Sequence, residues 1–166
     1  MSQQESQWQK HESNIVGYLV ANDGSKRKVR QVDEYKLEVT TYKGQPATAS
    51  EIGVQIEKLR RNFTLMKPDF FAVLTNELAA EEWTAERIAD AVKHVLHTKT
   101  GGYLAVADVL SYDKPMKLYT HLGYCWLIDN HRATDKDGCG EKSDFGKIII
   151  NGKCFFYLKK DLPKNK

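Results

Sequence analysis

Trp83-Thr84-Ala85-Glu86-Arg87-Ile88-Ala89-Asp90-Ala91-Val92-Lys93-His94-Val95-Leu96 carries its start signal and its apolar stripe in one stretch. Thr84 can accept a hydrogen bond from a free amide of the first turn, and Glu86 complements the positive helix end. Ile88, Ala91, Val92, Val95 and Leu96 fall on one face at the 3.6-residue period. Trp83 precedes the cap, where it can staple onto Ile88. The stretch predicts an amphipathic helix that must bury one face, and so anchors a helical unit in mid-chain. Lys99-Thr100-Gly101-Gly102 ends it, because glycine takes left-handed backbone without strain.

Working towards the N-terminus, Ile52, Ile56, Leu59 and Phe63 are spaced by four, three and four, another helical stripe, with Ser50 as its expected cap. Lys67-Pro68 opens a further helix that buries Phe70, Phe71, Leu74 and Leu78, with proline tolerated in the first turn. After the central stretch, Leu104 to Leu110 reads as a short helix, and Tyr112-Asp113-Lys114-Pro115 as a turn. Tyr119 to His131 reads as a fifth helix, weakened at Gly123 by about 1 kcal/mol relative to alanine. Helices this short are marginal alone, so a bundle over 50–131 is expected.

The period is different at the two ends of the chain. Asn14 to Val20 is β-prone, Asn22-Asp23-Gly24 is a turn signal, and Lys26 to Val32 returns as a second strand. Tyr35 to Tyr42 alternates as a third strand, ended by Lys43-Gly44-Gln45-Pro46. Residues 133–146 read as a polar loop. Asn151-Gly152 between Lys147-Ile148-Ile149-Ile150 and Lys153 to Leu158 is a hairpin signal, since both turn positions need positive φ. Residues 1–13 are polar and lack periodicity, which predicts a flexible tail. The expected class is α+β: a tail at 1–13, then a single domain over 14–166, made of a β-rich segment at 14–45, a central bundle of four to five short helices at 50–131 and a C-terminal β-hairpin at 147–158.

Composition bounds the function. The chain has 166 residues, 41% of them hydrophobic, and a formal net charge of +3, which fits a globular protein and is compatible with nucleic acid only if the cations cluster. The first residues lack a signal-peptide apolar core, and no run approaches the roughly 20 apolar residues of a membrane span. Cys125, Cys139 and Cys154 are too few and too scattered for a disulfide framework. These features predict a cytoplasmic protein with reduced thiols and no membrane partner.

Three constellations bear on chemistry. His121, Cys125, His131 and Cys139 are zinc-capable donors, the first two sharing a helix face, but the set lacks a Cys-x-x-Cys pair and spreads into a loop. Asp135-Lys136-Asp137-Gly138 matches the middle of a calcium loop, yet the first ligand position falls on Ala133 and the twelfth on Asp144. Ordinary surface side chains and an acidic turn account for both, so no metal and no cofactor are expected. His94 and His97, with Asp90 within reach of His94, belong on the wet flank of the central helix. No nucleophile accompanies them and no phosphate-binding glycine loop is present, so no catalytic residue is assigned.

Charge is the sharper signal. Lys26-Arg27-Lys28-Val29-Arg30 packs four cations into five residues, with Lys58, Arg60 and Arg61 as a second group. Together they are the candidate nucleic-acid contacts, because such cations can neutralise phosphates. The competing account is a charged edge strand that blocks aggregation.

Phe70-Phe71-Ala72-Val73-Leu74, Trp83-Thr84-Ala85-Glu86-Arg87-Ile88 with Ala91-Val92, and Ala107-Asp108-Val109-Leu110-Ser111-Tyr112-Asp113-Lys114-Pro115-Met116-Lys117-Leu118-Tyr119-Thr120 resemble small helical replication-accessory proteins of bacterial phages and mobile elements, of the helicase-loader or replisome-organiser type. The resemblance spans residues 70–119 and rests on fold-level analogy. Gly101-Gly102-Tyr103-Leu104 departs from it, standing where a proline-containing loop entry is expected. The resemblance implies a non-enzymatic accessory or adaptor that binds DNA, a replication protein or both, with Tyr112, Lys114, Tyr119 and Trp126 as partner contacts. The alternatives are a protein-binding inhibitor or adaptor without nucleic-acid contact, and an enzyme assembled from loops.

Overall fold

The computed structural model describes residues 14–163, so the expected tail at 1–13 lies outside the described residues. The class is α+β, with five α-helices and six strands among the described residues. The described residues form two compact units: a sheet unit from residues 14–20, 26–41 and 114–163, and a helical unit from 21–25 and 42–113.

In the helical unit, α1 (Ala49–Asn62), α2 (Pro68–Ala80), α3 (Ala85–Thr98) and α4 (Val106–Leu110) follow the stripes read from sequence. Ile52, Ile56 and Leu59 of α1, Phe71, Leu74 and Leu78 of α2, and Ile88, Ala91, Val92 and Val95 of α3 are buried. The cap of α1 is Thr48, not Ser50. Thr48 Oγ1 accepts from the Glu51 amide at 3.2 Å, while the Glu51 carboxylate accepts from the Thr48 amide at 2.8 Å. This reciprocal box needs an acid three residues after the cap, and only Thr48 has one. Thr84 caps α3 as expected, accepting from the Arg87 amide at 3.2 Å.

The sheet unit is larger than two separate β segments. Strands β1 (Ile15–Val20), β2 (Lys26–Gln31), β3 (Lys36–Thr40), β4 (Pro115–Tyr119), β5 (Phe145–Ile150) and β6 (Lys153–Leu158) form one antiparallel sheet in the order β1-β2-β3-β4-β6-β5. The sheet curls until its two edges approach, and Asn151 Nδ2 donates to the Val16 carbonyl at 3.3 Å. Val29, Leu37, Val39, Met116, Leu118 and Ile150 fill its inner face. At the β5–β6 turn, Asn151 and Gly152 adopt φ of 50° and 75°, as the Asn-Gly signal requires.

Two expectations for the middle of the chain are corrected. Residues 115–119, expected within the bundle, are β4, paired to β3 with Leu37 opposite Leu118 and Val39 opposite Met116. The fifth helix, α5 (His121–Asp129), belongs to the sheet unit, where Leu127, Ala133, Phe145, Phe156 and Leu158 form a second core on the outer side of β5 and β6. Strand β5 also begins at Phe145, inside the expected loop. The bundle therefore ends at Leu110.

Gly123 sits where α5 meets the β2–β3 turn. A Cβ there would lie 2.0 Å from the Tyr35 carbonyl oxygen. Thr120 fixes that approach: its amide donates to the Tyr35 carbonyl at 2.9 Å and its hydroxyl donates to the Glu34 carbonyl at 2.7 Å. The glycine that weakens the helix in isolation is the residue that lets it dock.

Candidate nucleic-acid interface

Alternation along β2 divides its cations. Val29 is fully buried on the inner face, so Arg27 and Gln31 share its side while Lys26, Lys28 and Arg30 stand on the outer side. Arg27 is spent inside the fold: its guanidinium donates to the Thr40 carbonyl at 3.0 Å, and burial pushes its pKa below the ordinary arginine value. The three outward cations are spaced about 6.8 Å apart along the strand.

Neighbouring strands extend this face. Tyr18 lies opposite Lys28 across the β1–β2 ladder and is 48% exposed. Arg30, Glu38 and Lys117 form one cross-strand row over β2, β3 and β4. Glu38 is the one acid in that row, between two cations. The outer face of β1 to β4 is thus a positively charged surface that carries an accessible aromatic ring.

The position of β2 bears on the competing account. A charged edge strand must lie at the rim of a sheet, whereas β2 is paired to β1 on one side and β3 on the other. The edges are β1 and β5. Edge protection therefore does not explain the charge of β2.

Lys58, Arg60 and Arg61 lie in the last turns of α1, in the helical unit. Arg61 pairs with Glu57 at 3.1 Å, the Arg60 guanidinium lies 5.5 Å from the Phe71 ring centroid, and both, in the last turn, complement the negative helix end. Lys26, Lys58, Arg60 and Arg61 are exposed and Lys28 and Arg30 half-buried, and the two groups belong to different units.

The four candidate partner contacts do not share one unit either. Tyr112 is in the helical unit, its ring 5.2 Å from His94. Lys114, Tyr119 and Trp126 are in the sheet unit. The Lys114 carbonyl accepts from the Thr41 amide at 2.9 Å, and Tyr119 is half-buried against the second core, where burial raises its phenol pKa. Trp126 is 47% exposed, beside Tyr35 at 6.4 Å between ring centroids, and Leu122 stands one helical turn away from it. These three form a small apolar patch.

The other candidate donors are largely engaged within the fold. Asp135 accepts from the Cys139 amide at 2.8 Å and from the Tyr124 hydroxyl, Asp137 from the Lys142 amide at 2.8 Å, and Asp144 from the Thr134 amide at 2.7 Å. These bonds order the loop, and the hydroxyl with the amide holds Asp135 well below the usual carboxylate range. His121 Nε2 lies 3.6 Å from Cys125 Sγ, as their spacing predicts, yet no group of three metal-capable side chains occurs among the described residues. His94 and His97 are exposed.

Sequence reading missed the polar clasp on α3. Arg87 is only 8% exposed, lies 3.7 Å from the Trp83 ring centroid, donates to the Tyr112 carbonyl at 2.9 and 3.2 Å, and pairs with Asp113 at 3.6 Å. One turn on, Asp90 accepts from the Tyr42 hydroxyl at 2.6 Å. Burial first, then the Asp90 and Tyr112 side chains, raise the Tyr42 pKa far above its ordinary value. Tyr18 and Lys117 were missed as well. The hairpin register, which pairs Val20 with Lys26, could have placed Tyr18 beside Lys28. Lys117 had no such signal, because its strand pairs with a distant one.

Compared with models of protein families, with curated proteins and with solved structures, the chain matches none. Among the described residues, no helix is long and apolar enough to cross a membrane.

Proposed function

We propose that this protein is a non-enzymatic accessory module that binds single-stranded DNA on the outer face of β1 to β4. The observation that carries the reading is the register of β2: Lys26, Lys28 and Arg30 face outward from an interior strand, beside the exposed ring of Tyr18. Cations at that spacing can follow a phosphate backbone, and an exposed ring offers a stacking surface to any base. The resemblance of residues 70–119 supports placing this activity in the replication of a phage or mobile element. The exposed Tyr35, Leu122 and Trp126 favour a second reading, an adaptor that grips a protein partner there.

Fluorescence anisotropy with a labelled oligodeoxythymidine tests the DNA reading. Binding is expected at about 50 mM salt, with the logarithm of the association constant falling against the logarithm of salt at a slope between about −2 and −3, for three to four phosphates. Simultaneous Lys26→Glu, Lys28→Glu and Arg30→Glu should weaken binding at least about a hundredfold. Tyr18→Ala should weaken it about tenfold, the size of one lost stacking contact. No binding by the unaltered protein at low salt, or equal binding by the triple variant, would overturn the proposal.

A further inference from the structure

The surface of the sheet unit changes sign at one corner. The outward charges of β2 are cations, but the β2–β3 turn that follows carries Asp33 and Glu34. Helix α5 has no lysine or arginine, and its one acid, Asp129, stands three residues beyond Trp126. Lys36 is the cation next to the turn, and it pairs with Asp33 at 3.9 Å. Glu34 engages Tyr35 instead: a hydrogen bond from the phenol to its side chain, then its charge, raise the Tyr35 pKa. The exposed Tyr35, Leu122 and Trp126 adjoin these acids.

The corner is held in shape. The Tyr35 and Trp126 rings are inclined at 53° with centroids 6.4 Å apart, so they make an open angle and not a flat stack. The Asp33 carboxylate accepts from the Tyr35 and Lys36 amides at 2.8 and 3.0 Å, which orders the turn. Thr120 ties the Glu34 and Tyr35 carbonyls to the start of α5, and Gly123 lets the helix approach one turn before Trp126. Rings carried on fixed backbone lose less freedom when a ligand arrives.

The surrounding charge selects the ligand. A phosphate would meet Glu34 and Asp129, and a purely apolar group would leave Glu34 unanswered. Aromatic faces attract cations, and a guanidinium can lie flat on a ring while donating to a carboxylate at its rim. We infer that this corner takes an arginine side chain from a partner protein, with the guanidinium on Trp126 and Glu34 and an apolar neighbour of that arginine on Leu122. The inference rests on the second reading above, in which the same patch grips a protein, and adds the chemistry of that partner.

Titration of the full chain with the peptide acetyl-Gly-Leu-Arg-Leu-Gly-amide, followed by NMR, tests it against the same peptide carrying citrulline, the neutral isostere of arginine. Saturable shifts are expected at Tyr35, Leu122 and the Trp126 indole, with the citrulline peptide about fivefold weaker, the scale of one exposed cation–aromatic contact. Glu34→Gln should weaken the arginine peptide about threefold, as for an exposed ion pair, and Trp126→Ala should abolish the shifts at Tyr35 and Leu122. Glu34 and Trp126 are exposed, so both variants keep the core. Equal binding of the two peptides at the patch, or unchanged affinity in Glu34→Gln, would overturn the inference and leave the protein-gripping reading standing. Absence of shifts there with either peptide would overturn both. Shifts at Tyr35 and Trp126 on adding oligodeoxythymidine would overturn it by giving the patch to DNA.

Discussion

The two units use the chain in opposite ways. The four helices come from one uninterrupted stretch, residues 42–113, whereas the sheet collects strands from either side of it and pairs Thr40 with Pro115 and Lys36 with Tyr119. Closing a flexible connection roughly thirty-fold longer than a two-residue hairpin costs about 3 kcal/mol more in chain entropy. Helix α3 reduces that cost, because it holds both ends of the helical stretch: Asp90 takes Tyr42 at the entry, and Arg87 takes Tyr112 and Asp113 at the exit. Once those ends meet, Thr41 can reach the Lys114 carbonyl with both amide and hydroxyl, at 2.9 and 2.8 Å, next to the β3–β4 pairing. The helical unit is thus locally specified, and we expect the central pairing of the sheet to depend on it.

The largest expected effect breaks that dependence. Arg87→Ala uncovers the Trp83 ring, leaves Asp113 without its guanidinium and removes two donors from the Tyr112 carbonyl. Losing one partner of a mostly buried pair together with its hydrogen bonds should lower stability by about 3 kcal/mol, read from urea unfolding. Amide exchange at Leu37 and Leu118, in the sheet unit, should quicken with that at Val92 in α3. Faster exchange confined to α3 would show that β3 and β4 pair without the clasp.

A smaller effect, opposite in sign to helix propensity, separates the units. Gly123→Ala should stabilise an isolated helix by about 1 kcal/mol. In the folded chain the methyl group meets the Tyr35 carbonyl, so we expect a loss of about 2 kcal/mol, with α5 displaced from the β2–β3 turn and exchange in α1 to α3 unchanged. A more stable variant would mean that the turn yields readily.

These differences explain what the sequence disclosed. Thr84, Pro68 and the apolar stripes decide helices from residues within one or two turns, and those elements were legible to within about two residues. So were both hairpins, since Asn22-Asp23-Gly24 and Asn151-Gly152 act locally. Met116-Lys117-Leu118 alternates too, but three residues between a proline and a tyrosine carry little signal until β3 lies beside them. The cation cluster on β2 was visible as composition; which of its members face outward was not, because that depends on which face the core selects. Arg87 was hidden for a related reason. An arginine between Glu86 and Ile88 reads as solvent-facing unless Trp83 and Asp113 are known to converge on it.

The smallest effect concerns pH and is confined to the sheet unit. The Tyr124 hydroxyl donates to Asp135, and this bond is the main cause of both shifts: Asp135 is held well below 3.8, and Tyr124 is pushed up to about 12. A depressed carboxylate contributes stability that is complete above its unfolded pKa and is lost as pH falls through the folded value. A raised phenol contributes stability that is complete below about 10 and is lost as pH rises towards 12. Tyr124→Phe removes the donor from one side and the titrating group from the other. Its stability should therefore vary less steeply than that of the unaltered protein below about pH 4 and above about pH 10, with little change between. The effect belongs to the sheet unit: near-ultraviolet dichroism of the aromatic cluster formed by Tyr124, Phe145 and Phe156 should follow the altered profile. Amide exchange in α1 to α3 should not. If the acid limb keeps its full slope in Tyr124→Phe, the Cys139 amide alone holds the Asp135 carboxylate, and the loop is fastened by its backbone instead of by the helix.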